Sequence, residues 1–187
     1  MEAFKQFVTS YGTQYPWVVF VALVFLPGFG FPASALFLLA GIVWGSNATS
    51  CLLAVSAIAL NVIWTHTVAS GPARKLMVRW MGERLQPWFA LPNKDLTKIA
   101  WLLRVTPGMP LFVQNYGLGA LGVPLRISLL TALPVVSLYA CGFVLTGGAI
   151  FDGHVGMAIS GISLLVVAAI AVKFLRSRVG SRESRLP

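Results

Sequence analysis

Arg104 closes an apolar run, Trp101-Leu102-Leu103, and is followed within twelve residues by Pro107, Pro110, Asn115 and Tyr116. A guanidinium presents a planar fork of donors that pairs with two phosphate oxygens at once. An arginine facing lipid at the bilayer centre costs about 2.5–3.5 kcal/mol on insertion scales, so in an apolar setting it needs a partner or water. Two readings follow: Arg104 holds a phosphate, or it snorkels to headgroups at the cytoplasmic interface. Asn115 and Tyr116 are polar groups in the same apolar context. They either line a route for a polar headgroup or hydrogen-bond this segment to its neighbours, a contact averaging only about 0.6 kcal/mol inside a membrane.

Prolines shape the elements that would carry these side chains. Pro107 and Pro110 interrupt one apolar stretch, and Pro27 and Pro32 interrupt an earlier one. Each proline ends a helix and leaves a carbonyl without its donor, and a returning helical arm would expose its first amides, which attract anions. Gly41, Gly45, Gly117, Gly119 and Gly122 follow the breaks and suit close backbone packing better than contact with a substrate. Unsatisfied backbone at membrane depth survives only where protein or a water-filled cavity completes it.

Composition sets the class. Of 187 residues 57% are apolar and only 10% charged, against about 25% charged in a soluble domain. The chain reads as an integral membrane protein with one domain over residues 1–175 and a basic, serine-rich tail over 176–187. Met1 is expected to be retained, because Met-Glu-Ala-Phe-Lys lacks the basic start and small-residue cleavage site of a signal peptide. The net charge of +9 is no nucleic-acid signature: seven basic residues lie between Arg74 and Arg104 and five between Lys173 and Arg185. Both blocks flank apolar segments, the pattern of cytoplasmic loops. Cys51 and Cys141 fall inside apolar stretches, which argues against a structural disulfide or metal site.

Along the chain, residues 4–27 form an imperfect first spanning helix and residues 28–47 the first broken segment. Residues 49–71 make a clean span, 74–98 an interfacial amphipathic loop, and 99–123 the second broken segment. Residues 125–150 and 155–175 are two further spans, joined at Asp152-Gly153-His154. A crossing at 99–123 would put one of the two basic blocks outside; a segment that dips in and returns leaves both blocks and Arg126 cytoplasmic. Charge does not decide residues 28–47. Repetition favours a hairpin there, with ordinary kinks in a spanning helix as the alternative: Gly30-x-Pro32, eight residues, Gly41 recurs 78 residues later as Gly108-x-Pro110, eight residues, Gly119. Eight helical residues rise only about 12 Å, less than half the hydrocarbon thickness. The expected fold is therefore all-α and polytopic, with about four spanning helices and two opposed re-entrant hairpins in an inverted repeat.

Two motifs carry a family resemblance. Phe31-Pro32-Ala33-Ser34 through Leu39-Ala40-Gly41-Ile42-Val43-Trp44-Gly45 is one; Arg104-Val105-Thr106-Pro107-Gly108-Met109-Pro110 through Asn115-Tyr116-Gly117-Leu118-Gly119 is the other, and the more specific. Over roughly residues 20–150 the chain resembles the DedA superfamily, whose core is also called the VTT or SNARE-associated domain. That resemblance implies two facing re-entrant hairpins, location in a bacterial inner (plasma) membrane, and lipid translocation; the basic blocks put residues 72–104 and the C-terminus on the cytoplasmic side. A phospholipid or polyprenyl-phosphate lipid would move between leaflets in the manner of a flippase or scramblase, along a path between the hairpins. DedA members usually carry Pro-Gly-Glu where this chain has Pro32-Ala33-Ser34, and a second arginine where it has Pro110. In both departures it resembles the VTT branch typified by a yeast vacuolar-trafficking protein.

The expected headgroup contacts are Arg104, Asn115 and Tyr116. Hairpin shaping falls to Pro27, Pro32, Gly41, Gly45, Pro107, Pro110, Gly117 and Gly119. Membrane lipids are the expected partners, with homo-oligomerisation left open and no nucleic acid. No catalytic set, phosphate loop, metal cluster or cofactor motif is apparent, so no enzyme activity and no cofactor are expected. Asn61 and His66, five residues apart, share no helix face; hydrogen-bonded packing is the simpler role for His66, a proton relay the other. A different class of function remains beside translocation: a membrane scaffold whose basic loop and tail bind anionic lipids or partner proteins. An ion-coupled carrier is disfavoured by the scarcity of buried acids.

Overall fold

A computed structural model describes residues 14–79, 96–105 and 109–153, together with 159, 161–167, 169, 170, 172 and 173. All regular structure among them is helical. The main elements are α1 (Pro16–Phe25), a 3-10 turn (Leu26–Phe29), α2 (Ala33–Trp44), α3 (Ala48–Ser70), α4 (Leu96–Val105), α5 (Leu111–Ala120) and α6 (Leu125–Asp152). α3 and α6, of 23 and 28 residues, are long and apolar enough to cross a membrane. They coincide with the spans expected over 49–71 and 125–150. Apolar side chains point outward from several helices: Phe29 is 78% exposed, Leu52 68% and Leu130 70%. Such surfaces suit hydrocarbon as solvent.

The expected first span over residues 4–27 is corrected by the structure. Tyr15 sits at φ −132°, ψ 58°, outside helical geometry, and Pro16 opens α1, which is only 10 residues long. Residues 4–13 lie outside the described residues. In the expected span 155–175 the described residues from 159 to 173 are helical, and Gly153 (φ 75°) makes the turn before them. The loop residues 80–95, Pro107, His154 and the tail 176–187 also lie outside the described residues.

Two compact units make up the chain, one of Met1–Asn61 with Val136–Ala169, the other of Val62–Val135 with Ile170–Pro187. In the first unit, α1 and α2 form a helical hairpin. Gly30 (φ 94°) ends the 3-10 turn in the left-handed region, where a side chain would be strained, and Pro32 (φ −62°, ψ 113°) is the N-cap of α2. The Trp44 indole Nε1 donates to the Pro16 carbonyl at 3.0 Å, so the pair returns to its starting level. Gly41 lets α2 meet the backbone of α6: a Cβ there would collide with the Val144 carbonyl and, at 2.8 Å, with the Gly148 amide. Gly147 and Gly148 receive Leu38 and Ser46 at equally close range, and the Ser46 hydroxyl donates to the Leu145 carbonyl at 2.9 Å. Helical residues beyond Gly153 pack back on α6 where Gly142 faces Leu165 and Gly161 faces Thr146.

The second unit repeats this plan. α4 and α5, each of 10 residues, pack through Ile99, Ala100, Leu103 and Leu118, and Pro110 (φ −59°, ψ 147°) is the N-cap of α5. Gly119 brings α5 against α3, where a Cβ would meet the His66 carbonyl at 2.7 Å and the Ala69 Cβ at 2.8 Å. The spacing of 78 residues that relates Gly41 to Gly119 also relates His66 to Val144, the residues those glycines meet. In each unit, then, the hairpin of one repeat rests on the long helix of the other at matching positions. That is a three-dimensional counterpart of the sequence repeat, and it explains why the two glycines recur.

Candidate functional site

Arg104 lies in the last turn of α4, where the helix macrodipole favours a cation. It is 4% exposed. Its Nη1 donates to the Asn115 Oδ1 at 2.7 Å and to the Gln114 Oε1 at 3.3 Å; Nη2 donates to the Ser128 Oγ at 3.1 Å and to the Ser128 carbonyl at 3.5 Å. The Nε is buried without a hydrogen-bond partner. Gln114 Nε2 donates in turn to the Met109 carbonyl at 2.9 Å, tying the guanidinium to the residues just before α5. Thr131 sits one turn beyond Ser128 and donates to the Ile127 carbonyl at 2.8 Å and the Ser128 carbonyl at 3.2 Å.

The cluster is polar and its described acceptors are all neutral. Hydrogen bonds to amides and a hydroxyl satisfy most of the guanidinium geometry and none of its charge. A buried cation without an anion is a costly arrangement. Among the described residues, one guanidinium N–H is unmatched and no anion faces the positive charge.

Comparisons with family models, curated proteins and solved structures find no match. The internal repeat supplies a comparison of its own. Shifted by 78 residues, Arg104, Gln114, Asn115 and Ser128 correspond to Leu26, Leu36, Phe37 and Ser50. Leu36 and Phe37 are buried in the first unit. Leu26, at the position of the arginine, is 40% exposed, so the first unit builds its hairpin with no buried cation there.

Of the expected headgroup residues, the structure brings Arg104 and Asn115 together. Tyr116, one residue further along α5, turns instead to Trp64 of α3, edge to face with ring centroids 6.4 Å apart at 78°. Gln114 and Ser128 complete the cluster and were not foreseen from sequence. Gln114 carried a signal, a second amide beside Asn115 in an apolar run; Ser128, 24 residues from Arg104, carried none. Gly117 is buried within α5 and its carbonyl accepts from the Leu121 amide, whereas Gly45 (φ 83°) and Gly122 (φ 78°) occupy turns that require positive φ. Pro27 is buried in the 3-10 turn of the first hairpin.

His66 and Asn61 take packing roles. The His66 Nε2 lies 2.9 Å from the Val123 carbonyl, which can only accept, so Nε2 carries the proton and the buried Nδ1 is left unpartnered. Asn61 Nδ2 donates to the Val24 carbonyl at 2.7 Å, anchoring α3 to the first hairpin near its break. Among the described residues, no three His, Cys, Asp or Glu side chains gather as a metal site would require. Arg126 is exposed at the start of α6, as an interfacial arginine would be.

Proposed function

We propose that this chain is a DedA/VTT-type membrane protein that moves a phospholipid or polyprenyl-phosphate lipid between leaflets, with Arg104 meeting the phosphate. One observation carries the reading: a guanidinium 4% exposed, with neutral described partners and an unpaired Nε, beside a broken helical hairpin. Arms of 10 residues rise about 15 Å, half the hydrocarbon thickness. That length supports a re-entrant second hairpin, as does the placement of both basic blocks on one side when it returns. The repeated packing of Gly41 and Gly119 supports an internal repeat, each hairpin seated on a long helix. In this reading the headgroup passes the α4–α5 break, where Asn115 and Gln114 hold the guanidinium in place, while the acyl chains stay in hydrocarbon.

Purified protein reconstituted into liposomes that carry fluorescent phospholipids should accelerate leaflet exchange, and Arg104→Ala should slow it at least tenfold. Exchange no faster than in protein-free liposomes, for several headgroup classes and a polyprenyl phosphate, would overturn the proposal.

A further inference from the structure

Immediately after α3 the chain turns through Gly71 and Pro72, and residues 74–79 form a short helical segment with two different faces. At 100° per residue, Arg74, Met77 and Val78 share one side, while Lys75, Leu76 and Arg79 share the other. Met77 and Val78 are half-buried, whereas Arg74, Lys75, Leu76 and Arg79 are exposed, Leu76 at 62%. Met77 and Val78 pack against the buried α5 residues Val113 and Ala120. The Arg74 Nε donates to the Ala120 carbonyl at 3.1 Å, at the C-terminal end of α5. Free carbonyls at that end of a helix carry partial negative charge, so an arginine there is both a hydrogen-bond cap and a favourable charge.

Position decides what the outer face meets. The 23 residues of α3 rise about 34 Å, enough to carry Ser70 from one headgroup layer to the other. Two cations flanking an exposed leucine at that depth suit the boundary of an anionic leaflet, with the ammonium and guanidinium on lipid phosphates and the leucine among the first methylenes. We infer that residues 74–79 are an anionic-lipid docking element that clamps the C-terminal end of α5: lipid seated on Lys75 and Arg79 holds the segment down, and Arg74 with Met77 transmits that hold to the helix bearing Gln114 and Asn115. The inference stands on this segment alone and does not require that lipid cross the membrane.

Hydrogen–deuterium exchange of the full-length protein in nanodiscs tests it. Discs of phosphatidylcholine are compared with discs holding about one-third phosphatidylglycerol, a content that raises the local pull on each cation. Amides of residues 117–123 should exchange several-fold more slowly in the anionic discs. Lys75→Gln with Arg79→Gln should remove that difference by weakening the lipid contact. Arg74→Gln should remove it while leaving residues 74–79 themselves protected by anionic lipid, since their outer face is intact. Equal exchange in the two discs, or a difference that survives the Lys75/Arg79 double change, overturns the inference. Leaflet exchange is not read in this experiment, so its outcome is independent of the transport proposal.

Discussion

At Arg104, charge and fold pull in opposite directions, and substitutions can separate them. The Asn115 amide makes its shortest hydrogen bond, 2.7 Å. Asn115→Ala strips that acceptor from a charged donor and should cost about 1.5–3 kcal/mol of stability. Arg104→Met removes the charge but leaves the buried Asn115, Gln114 and Ser128 acceptors without their donor, a loss of about 1–3 kcal/mol that relief of the unpaired charge partly offsets. The expected pattern is a lowered unfolding midpoint in detergent for Asn115→Ala, a smaller drop for Arg104→Met, and lost leaflet exchange in both. A purely structural arginine would give instead a destabilised Arg104→Met whose surviving folded fraction keeps its rate.

Among the elements, the close approach of each hairpin to a long helix is the feature most sensitive to a single methyl. Gly41→Ala and Gly119→Ala place a Cβ against backbone carbonyls, of Val144 and His66, that cannot swing aside. Each should lower stability by about 1–3 kcal/mol, the usual penalty of overpacking, read as a drop in unfolding midpoint. Gly122→Ala is the control: it meets no atom within 4 Å and sits at φ 78°, so its cost is the left-handed backbone alone, about 1–2 kcal/mol, and Gly122→Asn should recover part of it. Both packing glycines were legible in the sequence because a hairpin on a helix needs a small residue at a fixed distance from the break, and the repeat preserved that distance. Where α1 begins was not. Residues 4–27 read as continuous because Tyr15-Pro16 is as compatible with the first turn of a helix as with an interruption, and only the Tyr15 backbone angles separate the two. Gly147 and Gly148, the receiving surface for α2, were passed over because a glycine pair inside an apolar run marks close packing without naming the partner.

For the whole molecule, the membrane path of the chain is the property on which the proposed transport depends, and it yields a test independent of any lipid substrate. α3 is long enough to cross, while the Trp44–Pro16 hydrogen bond returns the first hairpin to the level at which it started. Residues on either side of that hairpin should therefore emerge in one compartment, and residues on either side of the α4–α5 hairpin in the other. Cys51 and Cys141 are free thiols and must first be replaced, by Ala and Ser, to give a silent background. Single cysteines at Tyr15 and Thr49 then bracket the first hairpin; single cysteines at Lys98 and Arg126 bracket the second. All four positions are exposed. A membrane-impermeant maleimide added to sealed vesicles should label the first pair from one side and the second pair from the opposite side. Lys98→Cys and Arg126→Cys reporting different compartments would mean that the second segment crosses, which leaves Arg104 inside a spanning helix and removes the returning arm from the site. The basic blocks weigh against that outcome, because a crossing would put residues 74–98 and the tail from 173 onward on opposite sides of the membrane.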